Sequence, residues 1–179
     1  MKLLALSAIG RDRPGIVAGV SRVLLDHELN VEDSQMTILR GHFTMTLIVA
    51  TPDDADTDRL RAELEAVRKR LSLDAVTLEE VTEAAGAVAP EASHIVSVYG
   101  ADHPGIVHAV ASALAEREWT ITDLTTRLVG KGSQALYAMM IEVALPPEVS
   151  TEDLGRAMQA VAAAPGVEIT SRTLEQDPL

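Results

Sequence analysis

The chain has 179 residues, with 15 Lys and Arg against 27 Asp and Glu, no Cys and a single Trp. Its net charge of −12 divides into −5 up to residue 89 and −7 beyond it, so neither half offers a basic surface for phosphates. Direct binding to nucleic acid or to an anionic membrane is therefore not expected, and the absence of Cys excludes disulfides, thiol nucleophiles and Cys-based zinc sites, in keeping with a cytoplasmic protein.

The N-terminal stretch MKLLALSAIGRDRPG has an apolar run too short for a membrane span. It makes a poor signal peptide, because the same kind of run recurs at His94 to Gly100. Leu3 to Ile9 reads instead as a strand ending at a glycine. Ile16, Val17, Val20, Val23 and Leu24 follow at helical spacing, and Phe43, Met45, Leu47 and Val49 alternate as in a strand. Leu60, Leu64, Val67 and Leu71 restore the helical period, and Ala75 to Val81 closes with a strand. The order is βαββαβ, which predicts a four-stranded antiparallel sheet with both helices on one face, the ferredoxin-like arrangement of the α+β class.

The order then repeats. GRDRPGIV at Gly10 to Val17 returns as GADHPGIV at Gly100 to Val107, an offset of ninety that also pairs Val20 with Val110, Val31 with Ile121 and Asp33 with Asp123. Further on the offset becomes ninety-four, pairing Phe43 with Tyr137 and Val49 with Val143, which puts a four-residue insertion in the GKGSQ loop at Gly130. Between the copies lies EAAGAVAPEA, small and weakly patterned. The predicted organisation is a first domain at residues 1–82, a linker at 83–92 and a second domain at 93–175.

The repeated turn has its own chemistry. Pro14 fixes φ for a first helical turn, Asp12 is placed to cap, and Gly15 lets something approach the free N–H groups of the helix start, where the dipole favours an anion. A small carboxylate suits that position, and Asp12 could hold an ammonium group instead of capping. Both readings are open at this point: a structural turn, or one pole for each end of an amino acid.

The G-x-D-x-P-G-I-V turn, the βαββαβ order and the NVEDSQM stretch from Asn30 to Met36 resemble ACT domains. Two in tandem resemble the glycine cleavage system transcriptional repressor family, over residues 1 to about 175. The resemblance implies amino-acid binding that regulates something else, with the ligand held where two ACT domains meet, between the loop after the first strand and the start of the second strand. On this chain the loop is Gly10, Asp12, Arg13, Gly15 and Ile16, and the strand start is Asn30 and Val31. The second copy offers Gly100, Asp102, His103, Gly105 and Ile106 with Thr120 and Ile121. Because Asn30 becomes Thr120 and Arg13 becomes His103, the first copy is expected to bind more strongly.

Other chemistries find less support. His103 and His108, five apart, point away from each other on a helix, so no metal site is expected, and no cofactor motif appears. Asp33 and Asp123 read as polar ends of edge strands, as partners for a ligand ammonium, or as a paired acid and base. The favoured function is a non-enzymatic regulatory module that senses a small amino acid such as glycine or serine and acts on transcription or metabolism through a partner protein, as a homodimer. The alternatives are a ligand-free interaction adaptor and an enzyme built on Asp12, Asp33, Asp102 and His103.

Overall fold

The computed structural model describes residues 1–82, 90–101, 104–130, 136–161 and 167–174. The chain divides into two compact units, Met1–Ala87 and Val88–Leu179. The linker expected at 83–92 lies for its larger part outside the described residues.

In the first unit the elements are β1 (Lys2–Arg11), α1 (Ile16–Asp26), β2 (Asn30–Leu39), β3 (His42–Thr51), α2 (Thr57–Leu71) and β4 (Leu73–Val81). The sheet order is β2-β3-β1-β4, with antiparallel neighbours throughout. Strand alternation explains the layering. Leu4, Leu6 and Ala8 of β1 and Phe43, Met45, Leu47 and Val49 of β3 turn to one face and bury there. Ile16, Val20, Val23 and Leu24 of α1 and Leu60, Leu64 and Val67 of α2 join the same core, so both helices cover that face. Asp56 starts α2 by accepting a hydrogen bond from the Arg59 N–H at 2.9 Å.

The second unit repeats the plan with β5 (His94–Ala101), α3 (Ile106–Ala115), β6 (Thr120–Val129), β7 (Leu136–Ala144), α4 (Thr151–Val161) and β8 (Val167–Thr173). Its sheet order is β6-β7-β5-β8, and its core runs from Val96 and Val98 through Val110 and Leu114 to Met139, Ile141, Leu154 and Met158. The two βαββαβ units are the predicted ferredoxin-like pair. The β2–β3 connection is the two residues Arg40 and Gly41, both at positive φ as a tight hairpin requires, whereas β6 and β7 are separated by six, which places the four-residue insertion between those strands. Among the described residues no helix is long and apolar enough to cross a membrane.

Candidate ligand site at the repeated turn

Helix α1 begins at Ile16, two residues after Pro14, which the sequence placed in the first helical turn. Its N-cap is Gly15, at φ 92° and ψ 0°, with Pro14 in the turn before it. Asp12 does not cap. Its own backbone N–H donates to the Gly41 carbonyl at 2.9 Å, tying the turn to the β2–β3 hairpin. Among the described residues no side-chain hydrogen bond caps the start of α1, which leaves the positive end of the helix dipole at the turn.

The turn borders an open groove of about 500 Å³, lined by Asp12 to Ala18 together with Ser21, Met36 and Phe43. Phe43 is buried and forms part of the core, whereas Met36 is 47% exposed and offers apolar surface beside the charged Asp12 and Arg13. Gly15 has nothing within 4 Å of the position a Cβ would take, so the site is open there, and its positive φ is what selects glycine. Gly105, the N-cap of α3, has the same character at φ 100°. Ile16 and Ile106 anchor the two helix starts in their cores. Asp102 and His103 lie outside the described residues.

Gly10 plays another part. It sits inside β1, opposite Phe43 on one side and Leu73 on the other, at a register shift, and a Cβ there would meet the Leu73 Cα at 2.9 Å. Glycine is required at that position by strand packing, independently of any ligand. Gly100 pairs with Tyr137 and Val167 in the corresponding place.

The start of the second strand is elsewhere. Asn30 lies opposite Ala50 and Asp33 opposite Ile48, while Ile38, at the turn's end of the sheet, lies opposite Phe43. Seven β3 residues separate Asn30 from that end, or about 23 Å at 3.3 Å per residue. One amino acid cannot touch the turn and Asn30 of the same unit. The turn and the strand start named in the sequence analysis therefore lie at opposite ends of the same sheet, and a ligand touching both would have to draw them from two ACT domains. The second unit has the same layout, with Thr120 and Ile121 opposite Ala144 and Val143, and Asp123 opposite Glu142.

Asn30 is exposed, and its side-chain NH₂ donates to Glu32 at 3.4 Å. Asp33 accepts from the Ser34 N–H at 2.7 Å. Both copies carry a β-bulge here, between Val31 and Asp33 and between Ile121 and Asp123. Among the described residues no cluster of His, Asp and Glu is arranged to hold a metal ion. Sequence reasoning missed Ser21, Met36 and Phe43 as neighbours of the turn. Met36 closes the quoted NVEDSQM stretch, but only the strand register shows that this end, not Asn30, flanks the turn.

A family model described as ACT domain matches residues 2–77. A UPF0237 protein of Methanopyrus kandleri is 40% identical over 81 residues, which cover 45% of this chain and 90% of that protein. The chain belongs to the ACT-domain family, with UPF0237 proteins among its relatives. Two solved structures match the whole tandem fold at a TM-score of 0.75. An unknown protein from Galdieria sulphuraria is 27% identical, covering 97% of this chain and 99% of that one. A "putative glycine cleavage system transcriptional repressor" is 18% identical, with 98% of each chain covered.

Proposed function

We propose that this protein is an amino-acid sensor, a binding rather than a catalytic protein, in which a small amino acid such as glycine or serine docks at the repeated turn and regulates transcription or metabolism through a partner protein. The observation that carries this reading is the uncapped start of α1, which borders a groove lined by Asp12, Arg13 and the exposed Met36. The N–H groups suit the ligand carboxylate and Asp12 suits its ammonium. Asn30 and Asp33, too distant to serve their own turn, complete the site from a second copy of the chain, which makes the working form a homodimer. The edge strand β2, unpaired on one side within its sheet, supports such an assembly.

The chain works in the cytoplasm in this reading, and with a net charge of −12 it reaches DNA only through another protein. The first unit binds more tightly than the second, because Asn30 and Arg13 are replaced there by Thr120 and His103. Calorimetric titration with each proteinogenic amino acid, on wild type and on Asn30→Ala, tests the proposal. Saturable binding of a small amino acid, weakened by about 1–3 kcal/mol in Asn30→Ala, is expected. No binding by any of them, or binding indifferent to Asn30, refutes it.

A further inference from the structure

The second unit carries a groove beside Trp119, at a place where the first unit holds an internal carboxylate. It lies at the C-terminal end of α3, the other end of a ten-residue helix from the turn, or about 15 Å away. Arg117, Trp119, Val149, Arg156 and Ala157 line it, with Glu148 and Asp153 on its wall, around a volume of about 510 Å³. Two of the five Lys and Arg residues beyond residue 89 therefore meet at one groove of an otherwise acidic half. Arg117 lies over the Trp119 ring, 5.7 Å from its centre, donates to the Ala113 carbonyl at 2.8 Å and has the exposed Glu116 carboxylate at 4.0 Å, with its own side chain still 40% exposed. Arg156 is held at the groove by Asp153.

The first unit shows what such a place accepts. The helix ends superpose bond by bond: the Leu29 and Trp119 N–H groups donate to Leu24 and Leu114, and Glu28 and Glu118 share a positive φ of 55° and 58°. Arg117 thus stands where the first unit has His27. At the facing helix, Leu60 donates to Asp56 as Leu154 does to Ser150, so Ala157 stands where the first unit has Glu63. In the first unit the Glu63 carboxylate fills this position, 3.1 Å from His27 Nε2 and 2.9 Å from Arg59 Nε. In the second unit the permanently charged Arg117 stands in place of the His27 imidazole, a buried alanine stands in place of the carboxylate, and an aromatic ring stands in place of Leu29 as a platform.

We infer that this groove binds a small carboxylic acid, whose carboxylate takes the place of the missing Glu63 group on Arg117 and whose apolar body lies on Trp119, Val149 and Ala157. The volume is that of a small-molecule site, and the cation–apolar pairing matches an amphipathic monocarboxylate. Glu148 and Asp153 disfavour a second negative charge on the ligand. This inference does not rest on the amino-acid site at the turn.

The chain's single tryptophan, Trp119, is the reporter. Hexanoate, its neutral isostere hexanamide, and an acetylated, amidated glutamate tripeptide are titrated into the full-length protein, with tryptophan fluorescence as the readout. Hexanoate is expected to give a saturable change that hexanamide does not reproduce, and that weakens about tenfold or more in Arg117→Gln. Ala157→Glu supplies the internal carboxylate and is expected to abolish the hexanoate response while far-UV circular dichroism stays that of the wild type. Arg172→Gln, outside the groove, keeps the response. A non-saturating change, an equal response to hexanamide, or full hexanoate affinity in Arg117→Gln or Ala157→Glu overturns the inference. Tighter binding of the peptide than of hexanoate overturns the small-molecule occupant. If Arg117→Gln is misfolded by circular dichroism, Ala157→Glu and the hexanamide comparison decide alone.

Discussion

Replacing Gly15 by Ala isolates one energetic cost. The residue sits at φ 92° and ψ 0°, and nothing lies within 4 Å of the position a Cβ would occupy, so the added methyl meets no atom. What remains is the conformational penalty of an L-residue in the left-handed region, about 1–2 kcal/mol. For a domain of this size that corresponds to a fall in Tm of about 4–16 °C. Asn adopts this backbone geometry more readily, as it does at the corresponding position of tight turns, so Gly15→Asn should cost less than Gly15→Ala despite its larger side chain. Urea unfolding of the full chain, followed by circular dichroism, compares the midpoints at constant m. An Asn variant as unstable as the Ala variant would refute the reasoning, because the cost would then be steric. An Ala variant indistinguishable from wild type would refute it too, since no strain would be there to measure.

Gly10→Ala should fail for the opposite reason. Its Cβ would lie 2.9 Å from the Leu73 Cα and 3.2 Å from the Asp74 N, so β4 must move, at about 1–3 kcal/mol, with hydrogen exchange accelerated in β4; unchanged β4 protection would contradict this. His94, buried and bonded through Ser93 and Thr151, is held below its usual pKa by desolvation. The folded chain therefore prefers the neutral imidazole, while the unfolded chain takes up a proton near pH 6.5, so stability falls as pH drops below about 6.5. The loss in urea midpoint between pH 7.5 and 5.5 should shrink in His94→Gln; an equal loss would show that other groups set the slope.

The fold was legible because both periods are written plainly in the sequence. Leu4, Leu6 and Ala8 alternate, Val20, Val23 and Leu24 recur along a helix, and every element returns at an offset of ninety or ninety-four. The twin glycines of the turn were legible as well, although the reason for Gly15 is its positive φ. Two features were not. Asp12 has the composition of a cap, but the helix starts only at Ile16, and the N–H of Asp12 is drawn to Gly41 of a hairpin twenty-nine residues on. The distance between Asn30 and the turn depends on the order β2-β3-β1-β4, a non-local pairing that local periodicity does not encode. The Trp119 groove lies between these cases. Aligning Glu63 with Ala157 shows a carboxylate in one copy alone, but only the helix geometry shows that Arg117 faces the gap.

The bulge in each outer strand works as a stop. Glu32 and Thr122 are extra residues with no partner in the ladder, and beyond each comes an aspartate, Asp33 or Asp123. A strand added along β2 therefore finds an unbroken register only from Asp33 to Leu39, a length of about 23 Å, and meets the bulge and the Asp33 carboxylate if it slides toward Asn30. The free edge can thus take a strand in a restricted set of alignments, and sliding by a residue or two is penalised at the same end each time. An open sheet margin that would otherwise invite indiscriminate pairing becomes a docking track with a terminus.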